Sequence, residues 1–349
     1  MPISKLELTH YRNINSATYS FSPECNLIVG DNGVGKTSIL ESIYLLAYGR
    51  SFRSNLLSHL ATHGLSSFVI RSIHQNMNVF GFQRNDDGTI RRLLNSKSTS
   101  LLNFASHYDP VLFIDSSSHR LFTNQSIYRR QLLDWGIYHI NDAFGSTWNK
   151  YQNILKQRNT ILKNNGLKRE LEPWNTQLSE YGEKVNIMRE EYISSLMKHF
   201  EDAIEALNIQ ALNIDLKYVK GWNESDSLMA AIEKNIGKDQ MVGYTSVGPH
   251  KGRIEIEVKG YNCKLKLSEG QQKLTHYALR LSQCKFLKEK VDKNVLFLVD
   301  DLGAELDKSN QKIILNAYRK ASCQLVITSL NEESYLKQSD TTVLRMNDN

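Results

Sequence analysis

The sequence predicts an α/β fold: a mixed sheet with an antiparallel part, interrupted by a mainly helical second lobe. Three observations carry this. Leu27, Ile28 and Val29 are a short apolar run, followed by a glycine-rich loop and then by Ile39, Leu40, Ile43, Leu46 and Ala47 at helical spacing. A second apolar run, Leu296 to Val299, ends in Asp300 and Asp301. Between them, residues 119–207 switch to a three- and four-residue repeat. The expected division is 1–118 and 240–349 for the α/β part and 119–239 for the helical lobe.

The loop is Gly30, Asp31, Asn32, Gly33, Val34 and Gly35, leading into Lys36 and Thr37. This is G-x-x-x-x-G-K-[ST] between a strand and a helix, the context a P-loop requires. Backbone N–H groups there must wrap a triphosphate, and side chains would block the approach. The helix N-terminus adds partial positive charge. Those six residues with Lys36 and Thr37 are the expected ATP contacts. Lys36 should reach the β- and γ-phosphates, and the Thr37 hydroxyl should bind Mg²⁺. A chance glycine turn is the bland alternative, and the strand–loop–helix order argues against it.

The 349 residues suffice for two domains or for one with a large insertion. At 40% hydrophobic and 23% charged, the chain can bury a core and does not read as disordered. A net charge of +6 admits an acidic partner without requiring one. Cys25, Cys263, Cys284 and Cys323 have no C-x-x-C spacing, so reduced thiols in the cytoplasm are expected. Charges interrupt the N-terminal stretch where a signal peptide would be apolar. No run approaches the ~20 apolar residues of a membrane span.

In chain order, Ile3–Phe21 reads as two strands around a turn at Tyr11-Arg12-Asn13, joining the strand at 27–29 in one sheet. Arg12 is either a surface residue or a neighbour of the nucleotide phosphates. Arg50 and Arg53, flanking Phe52, are either solvated or face an anion such as DNA. Strands follow at 68–73, 78–82 and 90–94, with Asp86-Asp87-Gly88 as a hairpin turn, and again at 111–114. Trp148, Tyr151, Leu155, Arg158 and Leu162 mark one helix. Leu178, Tyr181, Val185, Met188 and Tyr192 mark a second, started by Pro173. Two heptads are too few for a free coiled coil, so an antiparallel pair is expected. The excess of Lys and Arg over 119–170 is either a solvated face or a surface for phosphates or a protein. Strands return at 211–216 and 253–258, around a helix at 227–236. His250 reads as a loop residue before a general acid or base.

ATP chemistry needs two further segments. Asp300 should hold the Mg²⁺ sphere, and Asp301 should orient the attacking water. Leu267-Ser268-Glu269-Gly270-Gln271 opens a helix running to about Glu289, with Ser268 as N-cap. L-S-x-G-Q before an apolar strand with two acids resembles the order of ABC-type ATPases. The fold class then reads as a P-loop, ABC-type ATPase head. The resemblance implies that Ser268, Gly270 and Gln271 bind the γ-phosphate held by a second subunit. The active state would be a head-to-tail homodimer around two ATP. Ala304-Glu305-Leu306-Asp307 resembles the dimer-contacting loop of that class, and Leu325–Ser329 its switch strand.

The finer details resemble the RecF family of bacterial DNA replication and repair proteins. They are Tyr48-Gly49-Arg50-Ser51-Phe52-Arg53-Ser54, Tyr128-Arg129-Arg130, Leu133-Asp134-Trp135-Gly136, Lys156-Gln157-Arg158-Asn159, Gly248-Pro249-His250-Lys251, and Asp300-Asp301 with Glu305-Leu306-Asp307. The resemblance implies a cytosolic ATPase related to chromosome-segregation (SMC) heads. It implies ATP-driven dimerisation and binding to single-stranded DNA and gap junctions. It also implies work with RecO and RecR in loading the recombinase RecA, and a tie to SOS induction. Arg12 would be an ATP contact, and Arg50 and Arg53 are the DNA candidates. The chain departs from the pattern at Leu112, where Gln is expected, and at Ser116-Ser117-Ser118, where Pro-Glu-Gly is usual. Glu269 should weaken the hold on a partner's γ-phosphate, and Asp301, shorter than Glu, fits slow hydrolysis. The alternative is the nucleotide-binding subunit of a membrane transporter. Against it stands the length of chain between Lys36 and Ser268.

Overall fold

The computed structural model describes residues 2–115, 121–122, 126–303, 306–321, 323–332 and 341–346. The expectations for Ser116-Ser117-Ser118 and for Ala304 and Glu305 fall outside these residues. The chain divides into two compact units, residues 1–118 with 287–349, and residues 119–286.

In the first unit, β1 (Ile3–Tyr11) and β2 (Ile14–Ser20) form the expected pair. β4 (Phe68–His74), β5 (Val79–Arg84), β6 (Ile90–Leu94) and β7 (Lys97–Ser98) extend it into an antiparallel sheet, ordered β2-β1-β4-β5-β6-β7. Gly88 closes the β5–β6 turn at φ 82°, its N–H donating to the Asn85 carbonyl at 3.0 Å. β3 (Cys25–Val29) does not join this sheet, contrary to expectation. It lies in a parallel sheet ordered β14-β3-β13-β12-β8, with β8 (Val111–Ile114), β12 (Leu296–Val299), β13 (Gln324–Ser329) and β14 (Thr341–Arg345). The physical reason is the burial pattern. β3, β12 and β13 are buried at every position, which suits a parallel strand covered on both faces. β1 instead turns only Ile3, Leu6, Leu8 and Tyr11 inward, its buried side changing at the irregularity between Ile3 and Lys5 and at left-handed His10.

Helix α1 (Lys36–Tyr48) packs its buried residues into the core that both sheets share. Buried Gln324 stitches that core. Its side chain accepts from the Ile3 N–H at 2.8 Å and donates to the carbonyls of Ile3 and Ser22 at 2.7 and 2.8 Å. A buried amide is stable only when satisfied in this way. Leu112 is also buried, paired with Phe297 in the sheet, so an apolar residue fits its place. The remaining helices of the unit are α2 (Leu101–His107) and α8 (Lys308–Lys320).

The second unit holds α3 (Ser126–Ile140), the pair α4 (Asp142–Lys163) and α5 (Lys168–Ala206), α6 (Leu228–Val242) and most of α7 (Glu269–Val291). Its sheet, β11-β10-β9, comprises β9 (Ile214–Val219), β10 (Arg253–Val258) and β11 (Tyr261–Asn262). α5 starts one turn before Pro173. Glu170 accepts the Leu167 N–H at 2.7 Å and caps the helix there, leaving Pro173 inside it. β9 begins at Ile214 instead of Ala211, because Gln210–Leu212 forms a 3₁₀ turn ending in left-handed Asn213. The return to the first unit falls at Leu287, not at 240. β10 packs on α3 and β9 on α5, so residues 240–286 go with the helices.

Arg158 lies wholly inside this unit, donating to Asn175 and Thr245 at 2.7 Å and to Asp239 at 2.8 Å. Leu162, Leu178, Val185 and Tyr192 are buried as their spacing predicts. The four cysteines are free and buried. Among the described residues, no helix is long and apolar enough to cross a membrane.

Candidate nucleotide site

The glycine-rich loop joins β3 to α1. Gly35 is the N-cap of α1 at φ 107°, where a Cβ would also meet the Asn13 side chain at 3.0 Å. Gly30 is constrained by a close approach, because an added Cβ would lie 2.6 Å from the Met346 carbonyl oxygen. The first turn of α1 holds no acidic residue, so its free N–H groups and dipole are unopposed there. Lys36 Nζ donates to the carbonyls of Gly30 and Asp31 at 2.6 and 2.7 Å, which holds the ammonium over the loop.

Asp300 follows β12, and the sheet brings it to Thr37. The Thr37 hydroxyl lies 3.0 and 3.1 Å from its two carboxylate oxygens. Thr328 near the end of β13 donates to Asp300 at 2.8 Å and accepts the Asp301 N–H at 2.9 Å. Asp301 takes a left-handed backbone angle, φ 55°. Burial pushes the Asp300 carboxyl above its usual range. The hydrogen bonds from Thr328 and Thr37 pull it down, and the nearby carboxylates of Asp115 and Asp301 push it up. A hydroxyl and a carboxylate so placed are hard oxygen donors, and they fit Mg²⁺ bound beside phosphates. Among the described residues no group of three or more His, Cys, Asp or Glu is placed to hold a metal ion by itself. A magnesium ion here would take its other ligands from phosphate and water.

These residues open on a cleft of about 1010 Å³, lined by Arg12, Asn32, Lys36, Thr37, Arg53 and Asp300 among others. Arg12 reaches it with its nitrogens already engaged. Nε and Nη2 donate to the two oxygens of Glu41 at 2.8 and 2.7 Å, and Nη1 to the His59 carbonyl at 2.8 Å. Glu41 is fully buried on α1 and also accepts from the Ser51 hydroxyl. Ser51 Oγ accepts the N–H groups of Arg53 and Ser54 at 2.8 and 2.9 Å. One carboxylate thus ties the β1–β2 turn, the Arg53 turn and, through Arg12, the segment at His59. Arg53 lines the cleft, whereas Arg50 is exposed beyond the C-cap Gly49.

Ser268, Gly270 and Gln271 belong to the second unit. Ser268 is the N-cap of α7 by a reciprocal pair: its hydroxyl accepts the Gln271 N–H at 3.3 Å, and its own N–H donates to Gln271 Oε1 at 2.9 Å. Glu269 lies in the first turn, where the helix dipole favours a carboxylate. His250 is a structural loop residue. Its Nδ1 lies 2.7 Å from the Tyr151 hydroxyl and its Nε2 3.1 Å from the Thr245 carbonyl, and burial lowers its pKa to about 4. Neutral imidazole serves both contacts, accepting at Nδ1 and donating from Nε2.

Sequence reasoning missed Thr328, Asn13 and Glu41. Asn13 donates to the Gly33 carbonyl at 3.0 Å and props the loop. Thr328 stood within a strand already read, and Asn13 within the Tyr-Arg-Asn turn, but neither residue type declares its partner. The one available signal for Glu41 was an acid inside the apolar pattern of α1.

The family described as RecF/RecN/SMC N terminal domain matches residues 2–349. The DNA replication and repair protein RecF of Aliivibrio fischeri (strain MJ11) is 32% identical over 344 residues, covering 97% of this chain and 96% of the relative. RecF of a Marinomonas species is 34% identical over 352 residues, covering 99% and 95%. Among solved structures, the recombination mediator protein RecF–ATP of the RecFOR pathway superposes with a TM-score of 0.83 at 24% identity. That match covers 95% of this chain and 93% of the other.

Proposed function

The chain belongs to the RecF family of DNA replication and repair proteins, and on that premise we propose that ATP switches it between a monomer and a DNA-holding dimer. One observation carries the reading: the Thr37–Asp300–Thr328 hydrogen bonds meet in the same cleft as Lys36. In this reading the loop and Lys36 bind the triphosphate, and Thr37 and Asp300 hold Mg²⁺. Asp301 orients water, its short reach makes hydrolysis slow, and DNA stimulates that hydrolysis. Ser268, Gly270 and Gln271 complete the partner's site in a head-to-tail homodimer. Single-stranded or gapped DNA is the ligand, and RecO and RecR are the protein partners, in line with the pathway named for the RecF–ATP structure. The transporter reading finds no support and is dropped.

The test is light scattering with and without ATP and a gapped duplex, on the wild type, Lys36→Met and Asp301→Asn. The expected result is an ATP-dependent dimer that retains DNA, persists in Asp301→Asn and never forms in Lys36→Met. Normal ATP binding by Lys36→Met would overturn the site assignment. ATP binding without dimerisation, even with DNA present, would overturn the switch.

A further inference from the structure

At one end of the second unit, α4 turns into α5 and α6 stops beside that turn. Lys163 ends α4 and lies against Gly243, the C-cap of α6. The Thr245 N–H donates to Asn159 on α4 at 2.8 Å, which pins the two ends together. Apolar side chains crowd this end in the open. Met241 is 83% exposed, Leu167 55%, Tyr244 47% and Val242 43%. Nothing local calls for them. Leu167 holds the N-cap position of α5, where an oxygen-bearing side chain is preferred, and Glu170 does the capping in its place. Around the patch stand Lys163, Lys168, Arg169 and Lys251, all exposed, with Lys251 over the Tyr244 ring at 5.3 Å. None of these four has a carboxylate partner within an ion-pair distance among the described residues. Of the acids nearby in sequence, Glu170 is held by the Leu167 N–H, Asp239 by Arg158 and Glu255 by Arg253.

We propose that this end of the second unit docks an acidic amphipathic protein segment, whose apolar side chains cover Met241, Val242 and Leu167 and whose carboxylates meet the surrounding lysines. An apolar centre within a polar, charged rim is the anatomy of a protein interface. Nucleic acid is the weaker fit. Single strands are held by successive aromatic platforms, and this surface offers one, Tyr244, already covered by a lysine. Phosphodiesters also give nothing for Met, Val and Leu to bury against.

The test uses the full chain and fluorescence anisotropy. The probe is a fluorescein-labelled helical peptide of interspersed Glu and Leu. The comparisons are the same peptide with every Leu replaced by Ser, and oligo-dT. The proposal expects the Glu–Leu peptide to bind more tightly than the Glu–Ser peptide, with affinity falling as salt rises. Met241→Ser with Leu167→Ser, and separately Lys163→Glu with Lys168→Glu, should each weaken it about tenfold while ATP affinity stays unchanged. If the charge-reversed chain does not fold, Lys163→Ala with Lys168→Ala should give about threefold. Equal binding by all variants would overturn the proposal. Displacement of the peptide by oligo-dT, with the variants losing oligo-dT affinity, would also overturn it and reassign the surface to nucleic acid.

Discussion

Replacing Glu41 tests whether one buried carboxylate holds the wall of the nucleotide cleft. In Glu41→Gln the shape is kept, but the amide presents N–H donors where Arg12 also presents donors. At most one of the 2.8 and 2.7 Å bonds from Arg12 survives. Removing one partner of a buried pair costs about 3–5 kcal/mol. The Arg12 side chain is 22% exposed and Glu41 is not exposed at all, so water can reach the stranded guanidinium. The expected loss is therefore about 2–3 kcal/mol. The hydrogen bonds to His59 and Ser51 loosen with it, and ATP affinity should fall about tenfold. Stability is read by far-UV circular dichroism in urea, because the four tryptophans, Trp135, Trp148, Trp174 and Trp222, all lie in the second unit. ATP affinity is read by calorimetry. A cycle with Arg12→Met should show a coupling of about 2 kcal/mol, because both substitutions remove the same tie. If Glu41→Gln unfolds within about 0.5 kcal/mol of the wild type and binds ATP normally, the tie has no such role.

Two further outcomes follow from the second unit, each read by tryptophan fluorescence. The His250 pKa is lowered to about 4, below its unfolded value of about 6.5, so its contribution is fully present above pH 6.5 and is lost as pH falls toward 4. That is worth about 3 kcal/mol, and His250→Gln should flatten this part of the stability–pH curve; an unchanged curve would count against a buried neutral imidazole. Asp239→Asn leaves the Arg158 charge fully buried without its carboxylate and should cost about 3–5 kcal/mol in urea unfolding; a loss under 1 kcal/mol would mean that the guanidinium finds water.

The sequence by itself determined the chemistry of the loop and the types of the elements. Gly30 to Thr37 reads as a phosphate-binding loop, because that glycine spacing, lysine and hydroxyl have one common use between a strand and a helix. Period-two and period-3.6 patterns placed most strands and the α4–α5 pair, because a half-buried element repeats at its own geometry. Only the tertiary structure decided which sheet β3 joins, since a strand buried on both faces does not state its neighbours. It also decided where the first unit resumes. Strand pairing and packing put residues 240–286 with the helices, and no local signal marks Leu287. Hydrogen-bond partners far apart in the chain were equally hidden. Thr328 meets Asp300, Arg12 meets Glu41 and Arg158 meets Asp239 because folding brings the pairs together. A polar residue's type says that it needs a partner when buried; only the fold says which one.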